Sequence, residues 1–190
     1  MSFYNLEKAS VEEAKKIIDR LDIENKKDYL YKATRASYIS PEIYSVILDC
    51  FKDDKHILAR SFSDLAITST QGNEVNPKLK SLISRNIDLS YVIDDALING
   101  ACRINAATAS FLIEQGANPD AQDNKALKMA IYENNKQVIE ELVKHGNNQQ
   151  VYNELKGKKL TLKEIDHPER TLNIEASLNM IQSKTIPVKK

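Results

Sequence analysis

Tryptophan is absent from this chain, and glycine occurs five times in 190 residues. Sheets with many tight turns, and folds that cradle dinucleotides on glycine-rich loops, need more glycine than that. Cysteine is almost missing too. Cys50 and Cys102 stand singly inside apolar helical patterns, which excludes a disulfide ladder and predicts two buried thiols in a reducing compartment. There is no excess of charge: Lys+Arg and Asp+Glu are both 27, so no broad attraction to nucleic acid or an anionic membrane is expected. No run of about 18 apolar residues occurs, which predicts no membrane insertion. The N-terminal MSFYNLEKASVEEAKK places acids and lysines where a signal peptide needs a continuous apolar stretch. The expected location is the cytoplasm, with export into a host-cell cytoplasm through a C-terminal signal left open.

Linear signatures of catalysis are missing as well. There is no G-x-S-x-G and no H-E-x-x-H. His56, His145 and His167 are far apart in sequence, and His145 closes a helical segment, where a histidine suits the negative end of the dipole. His167-Pro168-Glu169 imitates the H-x-E of zinc deaminases without the accompanying P-C-x-x-C. Lys156-Gly157-Lys158-Lys159 lacks the spacing of a phosphate-binding loop. Asp94 and Asp95 are adjacent and read as a polar turn between units, since an acid/base pair has to converge in space. No catalytic residue, metal ligand or cofactor is predicted. The class-different alternative is an enzyme whose site is assembled between the helical part and residues 149–190, which would leave no linear motif.

What is present is repetition. In QVIEELVKH (137–145), Val138, Ile139, Leu142 and Val143 share one helical face, and Gly146 supplies the stop. Thirty residues upstream, Leu112 and Ile113 stand in the same frame before Gly116. Thirty further back, Leu82 and Ile83 stand before Asn86, which also tolerates the left-handed conformation such a stop requires. A fainter copy runs from Glu42 to Leu48. Each copy is preceded by a shorter predicted helix with a leucine and small residues: Leu30–Ala33, Leu65–Thr68, Leu97–Gly100 and Leu127–Ala130. Two helices per unit of about 30–35 residues predict a solenoid, in which each unit buries its apolar face against the next.

GANPDAQD, NKALKMA and NNKQVIEELVKHGN resemble the ankyrin-repeat pattern G-A-D-V-N-A-x-D, T-P-L-H-x-A-A and G-H-x-E-I-V-x-x-L-L-x-x-G-A. Leu127, Ala130, Ile139, Leu142, Val143 and Gly146 fall on the motif's structural positions in the last unit, and Leu97, Leu112, Ile113 and Gly116 in the one before. Lys125-Ala126-Leu127-Lys128 replaces T-P-L-H, and the unit is shorter than the family's usual length of about 33 residues. The shortfall lies between Asp123 and Leu127, where the family places a β-hairpin finger, so truncated fingers are expected.

The resemblance implies an all-α, ankyrin-like solenoid of about four to five helix-turn-helix units. Residues 1–24 are expected to form a capping helix region, 25–148 the repeats (25–55, 60–88, 91–118 and 121–148), and 149–190 a cap or tail. Within that tail, GKKLTLKEID reads as a short extended segment and Leu172–Ile181 as one more helix. The function implied is non-enzymatic: an adaptor or inhibitor that binds a protein through its concave face. The family's variable concave positions map onto Arg35, Thr70, Gln71, Cys102, Arg103, Tyr132 and Glu133. Arg103 and Tyr132 are the strongest candidates because guanidinium and aromatic groups most often carry interface energy. Lysine outnumbers arginine 21 to 6. Small divergent ankyrin proteins are common in intracellular bacteria and large DNA viruses, and the resemblance therefore implies a host-directed effector or a regulator of one.

Overall fold

The computed structural model describes residues 3–68, 74–85 and 88–166. Every regular element among them is helical, with no strand. A 3-10 turn (Phe3–Leu6) leads into α1 (Val11–Asp19), α2 (Ile23–Arg35), α3 (Pro41–Asp49) and α4 (Lys55–Thr68). These are followed by α5 (Pro77–Ile83), α6 (Ile93–Gly100), α7 (Ala106–Glu114), α8 (Ala121–Tyr132) and α9 (Lys136–His145). Two short helices, α10 (Gln149–Leu155) and α11 (Leu162–Asp166), come last.

Local chemistry sets the helix starts. Ser10 and Glu13 form a reciprocal capping box at α1: the Ser10 N–H donates to the Glu13 carboxylate at 2.8 Å, and the Ser10 hydroxyl accepts from the Glu13 N–H. Ser40 and Asn76 cap α3 and α5, each followed by proline, whose missing N–H costs nothing in the first turn. Asn105 and Asn135 cap α7 and α9.

The helices pack in two rows. In one, α2 lies on α4, α4 on α6 and α6 on α8, and α10 and α11 both reach α8 at the end. In the other, α1 lies on α3, α3 on α5, and α7 on α9. The first row buries Leu30, Leu65, Leu97 and Leu127, with Ala33, Ala66 and Ala130 fully enclosed between neighbours. Each buried leucine contributes about 1.5–3 kcal/mol, which no single helix pair gains by itself.

Polar ties join successive units at corresponding places. The Asn135 amide donates to Ala101 O (3.2 Å) and Ile104 O (3.0 Å) in the turn after α6, while its own oxygen accepts the Val138 N–H. Asn105 repeats this one unit earlier, donating to Glu74 O at 3.1 Å and accepting from the Thr108 N–H at 2.8 Å. At the first such joint a lysine takes the amide's place. The Lys78 ammonium donates to Ala33 O (2.7 Å) and Ala36 O, closing the C-terminal end of α2. The second row has its own tie, in which Arg85 donates to the Asp49 carboxylate at 2.7 Å and to Ser45 O at 2.9 Å.

Four details differ from what the sequence predicts. The helices of the first row are not uniformly the shorter ones: α2 and α4 have 13 and 14 residues against 9 and 7 in α3 and α5, whereas α6 has 8 against 9 in α7. Gly146 ends α9 in an extended conformation (φ −98°). Glycine is favoured there by proximity instead: a Cβ would meet the Asp120 carboxylate and lie 2.6 Å from the Asn148 amide, so both side chains would have to shift. Leu162–Asp166 is a helical turn rather than extended, because the Thr161 hydroxyl and the Glu164 carboxylate cap it reciprocally. The two thiols are half-buried, not enclosed. Where the resemblance places a finger, Gln122, Asp123 and Asn124 turn through left-handed geometry (φ 51°, 56° and 58°) before the rest of α8. Leu172–Ile181 and Asn86 lie outside the described residues.

Candidate functional site

The candidate residues within the described segments fall at the C-terminal ends of first-row helices or just past them. Arg35 is the last residue of α2, and its guanidinium carbon sits 4.4 Å from the centroid of the Tyr31 ring. Cys102 and Arg103 follow α6. The Cys102 thiol turns back toward Asn99 O (3.6 Å), while the Arg103 side chain is exposed and its N–H is bonded to Gly100 O at 2.7 Å. Tyr132 closes α8 with 40% of its surface exposed, and Glu133 beside it is exposed as well. Thr70 and Gln71 lie outside the described residues, just past the end of α4.

Each end of this row carries a feature that the linear sequence hides. Around Arg35, three exposed tyrosines from separate segments gather: Tyr4, Tyr31 and Tyr38. The rings of Tyr4 and Tyr38 are nearly parallel, 6.5 Å apart, and Phe3 supports them edge-on against Tyr29 at 5.2 Å. At the other end, α8, α9, α10 and the loop after α10 enclose a cleft of about 700 Å³. Tyr132 and Glu133 lie in it together with Tyr152 and four lysines, Lys136, Lys156, Lys158 and Lys159. The sequence signals neither grouping, because residues about 20 to 30 positions apart meet only once the helices are stacked.

Lys78 is the functional-looking group that sequence reasoning passed over. It reads as an ordinary first-turn lysine, yet it is 5% exposed. Its burial, between α2 and the start of α5, pushes its pKa down to about 8. The Tyr44 ring lies 5.7 Å from its nitrogen. Tyr44 is itself fully enclosed, and desolvation raises its pKa to about 12. The Lys78 amine borders a cleft of about 510 Å³ that Arg35 also lines. Both of its carbonyl partners are structural, so its geometry is that of a joint.

Asp94, Asp95 and His145 serve the frame. Asp94 accepts the Asn118 N–H at 2.7 Å and Asp95 accepts the Gln122 amide at 3.0 Å, so the adjacent carboxylates hold the next unit's turn. The His145 Nε2 lies 3.4 Å from the Glu141 carboxylate within α9. Among the described residues no group of three or more His, Cys, Asp or Glu is placed to hold a metal ion, and no helix is long and apolar enough to cross a membrane. His167 lies outside the described residues. No protein-family model, curated protein or solved structure matches this chain.

Proposed function

We propose that this protein is a non-enzymatic protein-binding module: a divergent ankyrin-like stack with truncated fingers, acting as an adaptor or inhibitor. The partner lies across the C-terminal ends of α2, α4, α6 and α8. The observation that carries this reading is the placement of Arg35, Arg103 and Tyr132, all exposed, at or just past the C-terminal ends of α2, α6 and α8 in one row. Arginine and tyrosine are among the residue types that most often dominate interface energy, and their exposure along one row gives a partner several anchors. A host-directed role is part of the proposal and rests on the ankyrin resemblance and the lysine-rich composition.

The test is affinity capture from lysates of the source organism and of a candidate host cell, comparing wild type with an Arg103→Glu/Tyr132→Ala variant whose fold is checked by circular dichroism. A partner held by wild type and lost by the variant supports the reading. Equal capture by both rejects this face, and absence of any partner rejects the module.

A further inference from the structure

We propose that the cleft between α8, α9, α10 and the Lys156–Leu160 loop is the docking site for an acidic peptide segment of the partner. This inference rests on the protein-binding reading above and adds the partner's chemistry. The chain as a whole is neutral, with 27 basic and 27 acidic residues. The cleft is not: Lys136, Lys156, Lys158 and Lys159 face Glu133 and Glu140. None of the four lysines lies within ion-pair distance of a carboxylate among the described residues.

Their placement also runs against stability. Lys136 opens α9, where the macrodipole is positive and a lysine costs a few tenths of a kcal/mol. The first turn of α9 holds no acid, whereas α1 and α6 each carry two. Gly157 adopts φ 81°, a left-handed turn that favours glycine, and it brings Lys156 and Lys158 to the same mouth. Below the ammonium groups the lining is apolar: Ile131, Ile139 and Leu160 are half-buried, so a peptide gains both charge pairing and a seat for a leucine-sized side chain. The chain's own residues 167–190 are unsuited to fill the site. They hold Arg170, Lys184, Lys189 and Lys190 against Glu169 and Glu175, and so add positive charge to a positive cleft.

The experiment is fluorescence anisotropy with the full chain and four labelled probes. These are a short peptide of glutamate, aspartate and leucine, its glutamine/asparagine analogue, oligouridylate, and a synthetic peptide of residues 167–190. The acidic peptide is expected to bind at least about tenfold more tightly than the amide analogue, and more weakly as salt rises. The Lys156→Gln/Lys158→Gln/Lys159→Gln variant, all at exposed loop positions, should keep its melting temperature and lose about tenfold in affinity for that peptide. Lys52→Gln, in the exposed turn between α3 and α4 and outside the cleft, should bind it as wild type does. No binding of the acidic peptide, or equal binding by the triple variant, overturns the proposal. So does tighter binding of oligouridylate, or lysine-dependent binding of the 167–190 peptide, which would assign the cleft to the chain's own tail. A captured partner that survives the lysine changes but is lost on Arg103→Glu alone, a residue outside the cleft lining, would reject this cleft and leave the binding module standing.

Discussion

The turn after α6 has two faces built on opposite terms. Inward, Ala101 O and Ile104 O accept the Asn135 amide from the next unit, and Ala101 and Ile104 are buried. Outward, Arg103 stands in solvent two residues from a carbonyl that locks the stack. The inward face recurs: Asn105 and Lys78 do the same for the two preceding turns. The outward face is less regular: Arg35, Arg103 and Tyr132 are all exposed, two arginines and a tyrosine with no common partner among the described residues. Repetition therefore marks what holds the units together, and on the proposed reading variation marks what meets a partner. The comparison also separates two kinds of joint. An amide closes two of them without charge, while an ammonium closes the one at α2.

Breaking a joint should cost far more than stripping the rim. Asn135→Ala removes the cap of α9 and leaves two buried-side carbonyls without their donor. A loss of about 3 kcal/mol is expected in urea denaturation, combining about 1 for the cap with about 1 per carbonyl. A loss below about 1 kcal/mol would show that the tie is ornamental. Lys78→Met is expected to cost about 2 kcal/mol at neutral pH, less than Asn135→Ala because the methionine no longer buries a charge.

The two joints should also part company with pH. The Lys78 pKa falls from 10.5 to about 8 on folding, so between those values the unfolded chain holds more protons than the native one. Native stability then rises with pH in that window. The wild-type advantage over Lys78→Met should be flat below pH 8 and grow from there toward 10.5, whereas the advantage over Asn135→Ala should not change. A neutral amine still has two N–H groups for its two carbonyls, which is why deprotonation leaves the joint closed. If the advantage shrinks with rising pH, the ammonium charge itself is what holds α2. Gly146→Ala is a smaller disturbance, about 1 kcal/mol, because the added Cβ displaces the Asp120 carboxylate from the Asn147 N–H it accepts at 2.9 Å. Arg103→Glu and Tyr132→Ala should each stay within about 0.5 kcal/mol of wild type by thermal melting.

The all-helical character and the helix starts were legible because they are written locally. A serine ahead of an acidic first turn reads as a helix N-cap at Ser10, and Ser10 caps α1. The apolar pair before Gly116 predicts a helix stop, and Gly116 sits at φ 105°. The reason for Gly146 was not legible, because it lies in the side chain of Asp120, 26 residues away and across a turn. Lys78 was hidden for the same cause: nothing in NPKLK separates a solvated lysine from one whose nitrogen reaches the end of α2, 45 residues back. Asn105 and Asn135 could be read as caps, but not as ties, since a cap needs only its own helix. Of the candidate site, the positions came from an alignment of units, and their exposure follows from their place in the turns. The lysine cleft required α10 to return against α8, a contact that no periodicity announces.

The most direct measurement is paired: melting temperature and partner affinity, by scanning and titration calorimetry, for Arg103→Glu/Tyr132→Ala and for Asn135→Ala against wild type. The segregation of faces predicts that the rim variant melts with wild type and loses the partner by about 2 kcal/mol or more, while the joint variant melts lower and, below its transition, still binds. A rim variant that binds as wild type does would contradict the assignment of recognition to the residues that do not repeat.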